Sequence, residues 1–250
     1  MRTGNPVLSH DVFRIEHSAA AATTMTIAGT VTKTAILLAI TIAGAAVSWV
    51  HVDRAPELAM PYIWGGIISG LIFAVATTFK PAWSPVTAPI YALCEGLFLG
   101  AISLFADAYA RQISGTSIVP QAVILTFGTL ASLLVAYRAG LIRATERFRT
   151  GVIAATGGIA IVYLATIVLH MFGVSIPYIH GSGMIGIGFS VFVVIVAALN
   201  LVLDFDFIET GVQQTAPKYM EWYGAFGLLV TLVWLYIEFL RLLMKLQRRN

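Results

Sequence analysis

The sequence predicts an all-α membrane protein, a bundle of seven transmembrane helices, and three observations carry that prediction. Only 11% of the 250 residues are charged and 58% are hydrophobic. A soluble domain carries about 25% charged residues, so this chain has too little charge to coat a water-facing surface. Mean hydropathy is +0.87. Seven apolar stretches reach the length, about 20 residues at 1.5 Å each, that a helix needs to cross hydrocarbon. No ten-residue alternation of apolar and polar positions occurs, which argues against a β-barrel.

Residues 1–26 read as a polar leader outside the bilayer, containing Asp11 and Glu16. The first apolar run starts too far into the chain for a cleavable signal. One transmembrane domain, 27–250, follows and ends in a short basic tail. Its spans are expected at Val31–Val50, Pro61–Thr78, Val86–Ala106, Ile118–Tyr137, Val152–Phe172, Gly183–Leu203 and Trp222–Met244. Most connections between them are short and rich in Pro, Gly or charge (DRAPE, FKPAWSP, ISGTS, RAGLIRATERFRTG, SIPYIHGSG), residues that break helices or seek water.

Loop charge sets the orientation. Lys80, Arg138, Arg143, Arg147, Arg149 and Lys218 fall on the side of the N-terminus, against Arg54 and Arg111 opposite. The positive-inside rule then makes the N-terminus cytoplasmic. Seven full crossings put the tail bases Arg241, Lys245, Arg248 and Arg249 on the other side, against the rule. Two glycine pairs four apart, Gly66/Gly70 and Gly96/Gly100, have the spacing that lets helix backbones approach closely.

Several function classes lack their residues. A single cysteine, Cys94, rules out an internal disulfide or a cysteine-based metal cluster. The net charge of +3 resides mostly in loops and tails, where it anchors the chain at anionic lipid, and nucleic acid is not needed as a partner. No Gly-x-Gly-Asp, Gly-x-Ser-Gly or His-Glu-x-x-His string occurs, and the five histidines are scattered. An enzyme is not expected, nor a bound cofactor.

Intramembrane acids are therefore the candidate functional residues. Glu95 sits near the middle of the third span with no base within two turns. Left ionised in lipid, it costs roughly 2.5–3.5 kcal/mol even on a lenient insertion scale. Asp204, Asp206 and Glu209 close the sixth span. At 100° per residue Asp204 and Asp206 point about 200° apart, so Asp204 shares a face with Asn200 and Asp206 with Glu209. Glu238 lies deep in the seventh span, three residues before Arg241, a local partner for it.

WLYIEFLRLL in the last span, LVLDFDFIE closing the sixth and YALCEGLFLGAIS in the third resemble the transmembrane Bax inhibitor motif family, in its bacterial YccA-type branch. The resemblance covers most of the chain from the second span onward. It implies a bacterial inner-membrane protein with the last helix central, and a pH-sensitive calcium leak controlled by acids of the last two spans that share a proton. Carried over, those acids fall on Asp204 and Glu238, with Glu in place of the family's Asp. The resemblance also implies a membrane-bound AAA protease as a partner, with residues 1–26 as the natural contact. A non-transporting regulator and a proton-coupled cation carrier are thus the rival functions.

The chain spacing complicates the pairing. A simple hairpin turning near Ala216–Pro217 sets Asp204 opposite about Leu229, and the nine residues from there to Glu238 span about 13 Å. Either the sixth helix runs further than its apolar stretch, or Glu238 pairs with another acid. Glu95, at similar depth, is the candidate. Two carboxylates in contact do not readily both ionise; once deprotonated, Asp204, Glu238 and Glu95 become oxygen ligands for a transient Ca²⁺.

Overall fold

The computed structural model describes residues 23–173 and 181–249, so most of the polar leader lies outside the described residues. Seven helices are long and apolar enough to cross a membrane. They are α1 (Ile27–Arg54), α2 (Ala59–Phe79), α3 (Ser84–Ser114), α4 (Val119–Arg138), α5 (Glu146–Met171), α6 (Met184–Gln213) and α7 (Met220–Gln247). Single 3-10 turns, Pro56–Leu58 and Pro81–Trp83, lead into α2 and α3. No strand occurs among the described residues.

Every expected span lies within one of these helices, apart from a residue or two at three of the ends, but α3 and α6 run well past their apolar stretches. Backbone hydrogen bonding continues wherever emerging polar side chains find partners. On α3, Asp107 is 2% exposed and takes Arg111 Nε at 2.7 Å, the Ile118 amide at 3.1 Å and the Ser117 hydroxyl. That carboxylate ties the last turns of α3 to the start of α4. The chain reverses through Gly115 at φ +71°, a left-handed conformation that glycine adopts without a steric penalty.

The packing is uneven. α1 lies along α3, α2 covers the neighbouring face of α3, and α6 pairs with α7. α7 also packs on α1, α3 and α4 and feeds two core clusters, one through Leu228, Leu232 and Leu235, the other through Phe226, Leu229 and Val233. Of its most apolar window 56% is buried, against 11% for α4 and α5, so α7 is enclosed by protein where those two face outward.

Both glycine pairs sit in these interfaces. A Cβ on Gly96 would strike the Thr41 carbonyl of α1, and one on Gly100 the Ala45 carbonyl and Ser48 hydroxyl. Gly66 stands in the same relation to Cys94 and Phe98 on α3: a Cβ there would lie 2.7 Å from Phe98 Cβ.

Residues 23–26, expected to lie in the leader, belong to the packed structure. The Met25 amide donates to the Ala216 carbonyl at 2.7 Å and Lys218 N to the Thr23 carbonyl at 3.0 Å. Glu221 anchors them: its Oε1 accepts from the Thr26 amide (3.0 Å), the Thr26 hydroxyl (2.8 Å) and Lys218 Nζ (2.9 Å). At 1% exposure this carboxylate forms a buried clamp between the entry to α1 and the entry to α7. Hydrogen bonds to a charged group contribute about 1.5–3 kcal/mol each, net. Glu221→Ala is therefore expected to cost at least about 2 kcal/mol and to speed amide exchange over residues 23–30. Unchanged exchange there shows that the clamp carries no weight.

Candidate functional site

The α6–α7 pair carries a polar seam. The Thr231 hydroxyl of α7 is within hydrogen-bonding reach of the Asp204 carboxylate on α6. Further along, Lys245 Nζ donates to Ser190 Oγ at 2.8 Å and to the Gly186 carbonyl at 2.9 Å. Both contacts obey one antiparallel register, which sets Ala197 opposite Glu238. On α6 the positions are 190, 197 and 204, on α7 they are 231, 238 and 245, each seven residues apart. Seven residues fall about 20° short of two full turns, so each trio forms one stripe. The residue opposite Asp204 is thus Thr231, two beyond the expected Leu229, because the link 214–219 turns slightly later than assumed.

Asp204 opens onto a cavity of about 570 Å³ between α2, α3, α6 and α7, lined also by Thr78, Tyr91, Glu95 and Thr231. Glu95 is half-buried, and Tyr91, one turn earlier on α3, lines the cavity beside it. The Tyr91 ring is fixed edge-on to Phe226 of α7, centroids 5.0 Å apart. Gly70 leaves room for the acid, since a Cβ there would lie 3.0 Å from Glu95 Oε1. Oδ2 of Asp204 is buried and has no hydrogen-bond partner among the described residues. Two carboxylates and three hydroxyls around one space are the kind of oxygen donors that a hard cation takes.

Glu238 is not part of this cavity. It is 1% exposed and held by Arg241 Nη1 at 2.9 and 3.2 Å and by the Tyr163 hydroxyl of α5 at 3.0 Å. Along α7 it lies seven residues, about 10 Å, beyond Thr231. Ala197, Leu201 and Leu235, each 0% exposed, pack in the core at this level. The expected trio Asp204, Glu238 and Glu95 is therefore divided, and so are the pairs Asp204–Glu238 and Glu95–Glu238. Among the described residues no three His, Cys, Asp or Glu side chains gather as metal ligands. The physical reason is local: Arg241, one turn on, balances Glu238 from its own helix.

The remaining candidates bind elsewhere. Asp206 pairs with Arg149 of α5 at 2.7 Å, and exposed Glu209 accepts from the Tyr137 hydroxyl at 2.6 Å. Asn200 donates to Thr156 Oγ1 at 2.9 Å and to the Val196 carbonyl, and does not line the cavity with Asp204. Sequence reasoning missed Tyr91, Tyr163 and Thr231, and counted Lys245 among the tail bases although it is 5% exposed inside the bundle. Seven-residue spacing from Glu238 was the available signal for Thr231 and Lys245; nothing marked Tyr163.

Seven apolar helices with carboxylates held between them define an integral membrane protein whose polar chemistry is interior. The Bax inhibitor 1 like family model matches residues 5–248, and the chain belongs to that family. No curated protein and no solved structure matches it.

Proposed function

We propose that the protein is a pH-sensitive calcium leak channel, described here with its path closed, in which Glu95 and Asp204 are the proton- and cation-binding carboxylates. The observation that carries this reading is the buried, unpartnered Asp204 Oδ2 in a cavity that Glu95 also lines. Protonation removes the charge that attracts a cation; deprotonation at higher pH creates an oxygen site for one. Beyond the cavity the packed level of Ala197, Leu201 and Leu235 closes the seam. Past it stand one acid, Glu238, and two bases, Arg241 and Lys245, a positive excess that opposes cation passage. Opening then requires α7 to move against α6. In this reading the N-terminus is cytoplasmic, the membrane is a bacterial inner membrane, and no enzymatic step is involved.

Calcium flux into liposomes across pH tests the proposal. Asp204→Asn and Glu95→Gln are each expected to lower flux at least tenfold at high pH and to flatten its pH dependence. Wild-type pH profiles in both variants overturn it. Calcium movement that drives proton movement in fixed ratio indicates the proton-coupled carrier instead. The regulator of a membrane-bound AAA protease draws support from the Glu221 clamp, which fixes where the leader leaves the bundle. That reading requires partner binding to fail on removal of residues 1–22 while flux is absent from the intact chain.

A further inference from the structure

α1 and α4 each pack on α7 but share no extended interface with one another. The gap between them is a lateral groove holding two cavities that share Leu38 in their walls; α3 and α7 floor the first, and α6 with Leu228 of α7 floors the second. One, about 310 Å³, lies between Ile42 and Trp49 of α1 and Val123 and Phe127 of α4, over Leu232. The other, about 550 Å³, lies between Ile27 and Val31 of α1 and Leu130 and Leu134 of α4. Along α4 the groove runs from Val119 to Arg138, about 28 Å, close to the thickness of the hydrocarbon core.

The hydroxyls of this groove are already used. Thr41 donates to the Leu37 and Ala92 carbonyls, Thr126 to the Ala122 carbonyl, and Ser103 pairs with Tyr236. Thr30 and Thr34 donate to carbonyls one turn back in α1. A water there would lack the two to four partners it needs, so the groove takes alkyl chain and not solvent. At one end the chemistry changes. Arg138 is exposed at the rim and makes no hydrogen bond or ion pair among the described residues. Its guanidinium is a planar donor suited to a phosphate. Glu209, also on that rim, is engaged by Tyr137.

We propose that this groove is a binding site for one bilayer phospholipid, its phosphate on Arg138 and one acyl chain lying between α1 and α4 past Leu38. Because α7 contributes to the floor of both cavities, the lipid touches the helix whose other faces carry Thr231 and Glu238; of the acids, Glu209 alone lines the groove, at its rim.

The test uses the full chain purified in detergent, with added phosphatidylglycerol as the probe, read by native mass spectrometry. One lipid per chain is expected to survive release from the micelle. Ala35→Phe fills the groove from an exposed position on α1 and is expected to cut occupancy at least fivefold with the unfolding temperature unchanged. Ala46→Phe blocks the second cavity and serves as the alternative should the first variant fold poorly. Arg138→Gln is expected to weaken retention of phosphatidylglycerol and phosphatidylcholine alike, since both present a phosphate. Retention equal to wild type in both phenylalanine variants overturns the site. Retention indifferent to Arg138→Gln overturns the phosphate contact.

Discussion

Gly100→Leu is expected to prevent α1 from seating on α3, the largest single loss of stability in the molecule. The Cβ alone would strike the Ala45 carbonyl and Ser48 hydroxyl, and neither is the loose end of a long side chain. Overpacking that side chains can absorb costs about 1–3 kcal/mol. Here backbone must move, so the cost exceeds that range and part of the protein should leave gel filtration as aggregate. Gly65→Leu is the control, because a Cβ at Gly65 meets nothing within 4 Å. It should leave the unfolding temperature unchanged or slightly higher, given glycine's low helix propensity. Equal behaviour of the two variants would mean that α1 does not lie against α3.

Removing Arg241 is expected to have the next largest effect. Arg241→Met leaves Glu238 buried with the Tyr163 hydroxyl as its remaining donor. Taking one partner from a buried ion pair costs 3–5 kcal/mol; with the Arg241 side chain 34% exposed, the low end, about 3 kcal/mol, applies. The double variant Glu238→Gln/Arg241→Met removes both charges and should recover most of that loss, since replacing a buried pair by neutral groups is often harmless. Thermal unfolding of the three proteins reads the comparison. A single variant as stable as wild type would show that Glu238 carries no charge in the folded protein. The outcome bears on the proposed channel, in which a charged, paired Glu238 would leave Asp204 and Glu95 as the proton-binding carboxylates.

Much of the fold was legible because lipid imposes a simple rule. A segment with nothing to hydrogen-bond outside itself must be helical and apolar for about 20 residues. The glycine pairs were legible for a related reason, since close backbone approach between membrane helices demands missing side chains. Helix ends were less so: α3 continues to Ser114 because Asp107 finds Arg111, Ser117 and Ile118. No local pattern announces partners supplied by the next helix.

The acids divide along the same line. Their number, their cost in lipid and the pairing of Glu238 with a base three residues on are properties of local sequence. Which carboxylates share a space is not, because it depends on helix register and on neighbours distant in the chain. A two-residue difference in the α6–α7 turn places Thr231 opposite Asp204, and Gly70 of α2 leaves room for Glu95 beside the same cavity. Hydrophobic length is additive along a chain and can be read from it; the meeting of two side chains is a property of three-dimensional packing, and only the assembled bundle decides it.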